Sequence, residues 1–256
     1  MPSLLERLEK HGGLEQWLAN RLIWTFAGSR RAVRTETPLV SFTFDDVPDS
    51  ALHEGAAILE RHGVRGTFYI SGGLAGQVEP ERLLISPEGC RELAERGHEV
   101  GCHTFSHRRV RNISRAELSA DLDRNGTYLA GAGVPRPPRN FAFPYNAAWP
   151  LARPELRRRF RTCRGAGEAI NRGRTDPMML KAVEIRQPEA EARALTRWID
   201  DVAGTPGWLV FFTHDIAPRP TSHGCTPETF DLLVAHAVAR GCAVLPVDRV
   251  LDRLGW

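Results

Sequence analysis

Four short stretches gather the residues able to do chemistry: Asp45-Asp46 closing "TFDD", His103 and His107 in "GCHTFSH", Pro144-Tyr145 in "FAFPYN", and His214 in "FFTHD". Each is ordinary by itself. A paired Asp after an apolar run commonly caps a turn, histidines at i, i+4 share a face of any helical turn, and a single His after an apolar strand is usually structural. Together they describe a reaction. Two neutral imidazoles and one carboxylate form the three-ligand set of a catalytic zinc site, which keeps a position open for water or a substrate oxygen. A second carboxylate can then serve as general base, and a further imidazole can protonate a leaving amine. Metal-assisted hydrolysis is the chemistry that uses all of them.

That chemistry places demands on the backbone. Neighbouring residues of a regular strand face opposite ways, so Asp45 and Asp46 reach one site only if the chain leaves the pleat, and Val47-Pro48 is where it can do so. His103 and His107 become adjacent ligands if the turn after their strand is helical.

The elements that carry these residues alternate in type. Apolar β-rich runs are read at Pro38–Phe44, Arg65–Ile70, "HEVGCH", Asn140–Tyr145, "FRTCRG", "LKAVEI", "WLVFFTHD" and "CAVLPV", with helical patterns between most of them. Helix signals are explicit: Ser86 followed by Pro87, a capping box of Ser114 with Glu117, Thr226-Pro227, and stops at Gly63, Gly97 and Gly241. This alternation predicts βα units around a parallel sheet or barrel, with the polar residues at the C-terminal strand ends that form the active face of such barrels. Cys102, alternating with His103, is expected to face the core.

Composition excludes some partners. The net charge of +3 is small and the basic residues are scattered, which argues against a nucleic-acid partner. Only Lys10 and Lys181 are lysines, and this arginine-rich balance is read as compositional bias rather than anion recognition. The five cysteines are odd in number, dispersed and without a CxxC, so a reducing compartment is expected over a disulfide framework. The N-terminal stretch lacks an uninterrupted apolar core of the signal-peptide kind, and no run is long enough to span a membrane. A cytoplasmic location is therefore expected. Residues 2 to 28 read as an accessory helix, which gives a division into residues 1–34 and a catalytic domain at 35–256. Trp17, Leu22, Ile23, Trp24 and Phe26, beside Arg21, Arg30 and Arg31, suit packing on the barrel, with peripheral membrane contact as the alternative.

In this order, "TFDD" with Pro48, "HTFSH", "FPY" and "THD" resemble the polysaccharide deacetylases of the NodB-homology type, carbohydrate esterase family 4, over roughly Pro38 to Val247. The resemblance implies an α/β fold, a distorted (β/α)7-type barrel. It also implies removal of N-acetyl, or sometimes O-acetyl, groups from a carbohydrate with one divalent metal, zinc first and cobalt, nickel, iron or manganese as alternatives. By this resemblance Asp45 is the general base, Asp46, His103 and His107 are the metal ligands, and His214 is the general acid. Tyr145, after Pro144, gives its backbone N–H to the oxyanion, and Phe212 lines the acetyl pocket.

The departures are specific. Val47 replaces the glycine usual after the Asp pair, Ala142 stands where many members have an arginine that holds the base, and no Asp-Trp motif is found. They leave two other readings: a metal-dependent C–N hydrolase of a small amide or cyclic ureide, and a non-catalytic carbohydrate-binding relative. The loop around His223 and Cys225 is read as a lead-in to the helix at Thr226, with a second metal site as the alternative. A cytoplasmic enzyme of this kind is expected in biosynthesis of a surface glycan or its precursor; the oligomeric state is not readable.

Overall fold

The computed structural model describes residues 30–165, 167–187 and 192–256. Ten strands are present among them: β1 (Arg31–Val33), β2 (Leu39–Asp45), β3 (Thr67–Ile70), β4 (Glu99–Cys102), β5 (Asn140–Ala142), β6 (Thr162–Arg164), β7 (Gly173–Thr175), β8 (Val183–Glu184), β9 (Trp208–Thr213) and β10 (Ala243–Val244). The main sheet runs β6-β5-β4-β3-β2-β9-β8, with β10 added beside the start of β2, and every ladder in it is parallel. Its two edges meet through one bridge, Arg164 to Leu180, just before β8. This is the expected α/β architecture: a sheet curled into a distorted, incompletely closed barrel.

Strands buried on both faces must be apolar nearly throughout, and the central pair obeys this: all seven residues of β2 and all six of β9 are buried. Phe42 stacks on Phe211 at 5.5 Å between ring centroids, and Phe44 stacks on Phe68 at 4.5 Å. Where polar groups enter this core they are paired, as when Trp208 Nε1 donates to Ser41 Oγ and Ser41 donates to Leu245 O.

The helix boundaries follow the capping signals. Ser86 accepts from Gly89 N, Ser114 and Glu117 form the reciprocal capping box, and Thr226 accepts from Thr229 N. The helix after β2 opens with a π-turn, Ala51–Ala56, and continues as α-helix to Arg61. The short helices Arg153–Arg159 and Val247–Leu254 were not anticipated, and neither was the antiparallel pair β1 and β7. The expected N-terminal helix, residues 2 to 28, lies outside the described residues. Within the segment 1–34 that was read as helical, Arg31–Val33 is a strand against Gly173–Thr175.

The strand ends that matter are tied from below. Asn125, fully buried on the helix Arg115–Gly131, accepts from Gly72 N and donates to Ile70 O and Cys102 Sγ, joining the ends of β3 and β4. Asn125→Ala orphans Gly72 N–H and Ile70 O. It is expected to lower the unfolding free energy by about 1–3 kcal/mol, measured by urea denaturation.

Candidate active site

The chain leaves the pleat where the paired carboxylates require it. Asp46 and Val47 both take φ 58°, and Val47 N–H donates to Asp45 O at 2.5 Å, closing a three-residue γ-turn around Asp46. A β-branched residue in this region is strained, by on the order of 1–3 kcal/mol. Val47 is held there by full burial and by Ile85 N–H donating to its carbonyl at 3.0 Å.

The histidines come together without a helical turn. Residues 103–109 are not helical. Thr104 and His107 adopt φ of 64° and 50°, Thr104 Oγ1 accepts from His107 N, and Asp121 Oδ2 accepts from Phe105 N and Ser106 N. This non-helical loop leaves the two rings 5.1 Å apart. Gly101 is required beneath it, because a Cβ there would sit 2.4 Å from the ring of Tyr69, its partner across the ladder.

Asp46 is the focus. Its Oδ1 lies 3.0 Å from His107 Nε2 and 3.6 Å from His103 Nε2, and it is buried without a hydrogen bond. Burial alone would raise this carboxyl, yet His107, His103 and His214 around it hold it well below the usual carboxylate range. Burial pushes the His103 imidazole down to about 4. His103 Nδ1 lies 2.9 Å from Ala142 O; a carbonyl only accepts, so Nδ1 carries the proton and Nε2 presents its lone pair. The ligand atoms of Asp46, His103 and His107 all lie within 4.8 Å of one another, the one such cluster among the described residues. An orphaned carboxylate oxygen facing two imidazole nitrogens is the donor set that a divalent cation satisfies, so these residues fit the metal.

The arginine missing from β5 is found on the next strand. Arg164 of β6 is fully buried and donates to both carboxylate oxygens of Asp45, at 2.5 Å to Oδ1, and to Asn146 Oδ1 at 2.8 Å. Ala142 and Arg164 are register partners in the parallel ladder, so the guanidinium starts one strand over and reaches the same carboxylate. Its signal in the sequence was an arginine near the end of the stretch "FRTCRG", which was read only as a strand.

His214 follows β9 with Nε2 3.9 Å from Asp46 Oδ2 and Nδ1 3.3 Å from His223 O. The ring of His223 turns to Glu184 at the end of β8, at 3.6 Å, and Glu184 draws its protonation upward. Cys225 is buried, its thiol pushed up to about 12 by burial, and its backbone bonds to Asp215. The His223 carbonyl thus supports His214, and among the described residues His223 and Cys225 belong to no cluster of three ligand groups. All five cysteines are free and buried.

Pro144 is buried and Tyr145 is half exposed, in a left-handed turn at φ 59°. Its ring lies 4.6 Å from that of His107 and under the Arg109 guanidinium at 4.4 Å. Phe212, 2 % exposed, packs under Arg164 at 4.7 Å. Its ring thus meets the guanidinium that holds Asp45.

The chain is similar to several known proteins. Residues 32–158 match the family described as Polysaccharide deacetylase. A chitin deacetylase of Colletotrichum lindemuthianum is 31% identical over 88 residues, 34% of each chain. A peptidoglycan-N-acetylglucosamine deacetylase, PgdA, of Listeria monocytogenes is 31% identical over 80 residues, 31% of this chain and 16% of that one. The chain thus spans about a third or less of the length of these curated relatives. Among solved structures, the peptidoglycan deacetylase PdaC of Bacillus subtilis superposes with a TM-score of 0.55 at 18% identity, covering 87% of this chain and 94% of that one. A family 4 carbohydrate esterase of Streptomyces lividans gives 0.55 at 18% identity, covering 82% and 93%. No helix among the described residues is long and apolar enough to cross a membrane.

Removing one partner of a buried ion pair strands the other charge. Arg164→Ala is expected to cost about 3–5 kcal/mol in urea denaturation. Arg164→Lys should recover only part of it, because one ammonium nitrogen cannot serve Asp45 as Nη2 does and also replace the Nη1 donation to Asn146.

Proposed function

We propose, from the premise that the chain belongs to the polysaccharide deacetylase family through residues 32–158, that it is a metal-dependent hydrolase removing acetyl groups, chiefly N-acetyl, from a carbohydrate. The observation that carries this reading is the convergence of two differently equipped carboxylates: Asp45 with its own guanidinium, and Asp46 with an orphaned oxygen beside two imidazoles. Adjacent in sequence, they are set up for different tasks.

Asp46, His103 and His107 would hold the cation, zinc in our reading, with cobalt, nickel, iron or manganese able to substitute. When bound it supplies Lewis-acid polarisation of the acyl carbonyl and acidifies water. Asp45, fixed by Arg164, takes a proton from the attacking water. The backbone N–H of Tyr145 donates to the carbonyl oxygen as negative charge gathers there. His214, whose Nδ1 is engaged by a carbonyl, delivers a proton through Nε2 to the departing nitrogen. Because Arg164 restores a tether for Asp45, the absent β5 arginine no longer favours a non-catalytic role.

We place the enzyme in a reducing, cytoplasmic compartment, an inference supported by its five buried free thiols. There it would act on a precursor of a surface glycan. Cell fractionation that recovers it from the medium or periplasm would reject this.

Purified protein is expected to release acetate from N-acetylglucosamine oligomers, to stop on chelation and to resume with zinc or cobalt. Asp45→Asn should slow the reaction by about 10²–10⁴-fold; an unchanged rate rejects the assignment. Turnover of small amides in preference to acetylated sugars would reject the carbohydrate reading.

A further inference from the structure

A second guanidinium enters the site from a segment that carries none of the four motifs. Residues 76–85 form a hairpin in which Gly76 N donates to Ile85 O, Leu84 N to Gln77 O and Glu79 N to Arg82 O. Its tip is the turn Glu79-Pro80-Glu81-Arg82, with proline where a fixed φ is favourable. The returning arm is sewn to the bend after the Asp pair: Ile85 N donates to Val47 O, Asp49 N to Leu83 O, and Pro48 bridges Leu84. The backbone that swings Asp46 into the site thus also carries Arg82. Arg82 Nη2 donates to Asp46 Oδ2 at 3.1 Å, its Nε donates to Glu79 Oε2 at 2.6 Å, and its side chain is only 16% exposed.

We propose that Arg82 is a positioning residue for the metal carboxylate: by binding Oδ2 it fixes Asp46 so that Oδ1 alone faces His103 and His107. This rests on the metal reading given above. Two features distinguish it from a counter-charge on an otherwise bare carboxylate. The contact is one-sided: Nη2 of Arg82 takes Oδ2 alone and leaves Oδ1 without a hydrogen bond, whereas Nη2 of Arg164 reaches both oxygens of Asp45. Arg82 is also held from behind by Glu79 across a tight turn, so it is not free to straddle the carboxylate. A carboxylate ordered before the cation arrives does not have to be ordered by it, which is how partners behind the ligands raise metal affinity.

The test is cobalt titration of the full chain, read by visible absorbance and by competition with a chromophoric chelator, for the native protein, Arg82→Gln, Arg82→Lys and Glu79→Gln. Circular dichroism establishes that each is folded. Arg82→Gln is expected to weaken cobalt binding 10–100-fold and to alter the visible spectrum. Arg82→Lys should restore part of the affinity, and Glu79→Gln should show a smaller loss in the same direction. Affinity in Arg82→Gln equal to or tighter than native overturns the proposal and makes Arg82 a counter-charge. A native chain that binds no cobalt overturns both this proposal and the metal reading. Cobalt binding that weakens in Arg82→Gln, with no acetylated sugar turned over, upholds the positioning role and rejects the deacetylase.

Discussion

Two neighbouring carboxylates cannot share a site while the strand that bears them stays regular, and the rest of the centre depends on how the chain escapes that constraint. The escape is a γ-turn at Asp46 followed by Val47, both left-handed, at the end of a strand buried along its whole length. It lets Asp45 keep its strand position toward Arg164 while Asp46 turns toward the histidines. The strain at Val47 is sustained because burial, the Ile85 bond and the hairpin behind it leave the chain no other path.

Division of labour follows from the partners each carboxylate acquires. Asp45 has both oxygens engaged by Nη2 of one buried guanidinium, which fixes its orientation. Asp46 is engaged on one oxygen and bare on the other, within reach of two imidazoles. Identical side chains, one residue apart, are thereby set to different chemistry by groups arriving from β6, from the 76–85 hairpin and from the loop after β4.

Most of the scaffold was legible because its signals are local. Apolar runs marked β2 and β9, and the Ser86, Ser114 and Thr226 caps fixed where three helices begin. The four motif stretches also marked the site, since a strand end is readable in one dimension. What escaped was non-local. Arg164 acts through a parallel ladder with Ala142, and Arg82 acts through a hairpin; neither relation leaves a spacing that a single chain displays. The i, i+4 spacing offered a helical turn as one way to bring His103 and His107 together, while the left-handed Thr104 and His107 and the grip of Asp121 appear only in three dimensions. The pair β1 and β7 is too short to stand out from its surroundings.

The seat of the buried arginine has a consequence for how such a site can change over time. Positions 142 and 164 lie side by side in register, so a guanidinium from either could serve Asp45. A lineage that moved it from one strand to the other one substitution at a time would have to pass through a chain with two guanidinia crowded on one carboxylate, or with none. The first opposes like charges in a space without water, and the second leaves an anion bare. Both ancestors would be poorly stable, so the exchange favours a background with stability to spare. Such an exchange, once made, is hard to reverse, because the way back crosses the same unstable intermediates.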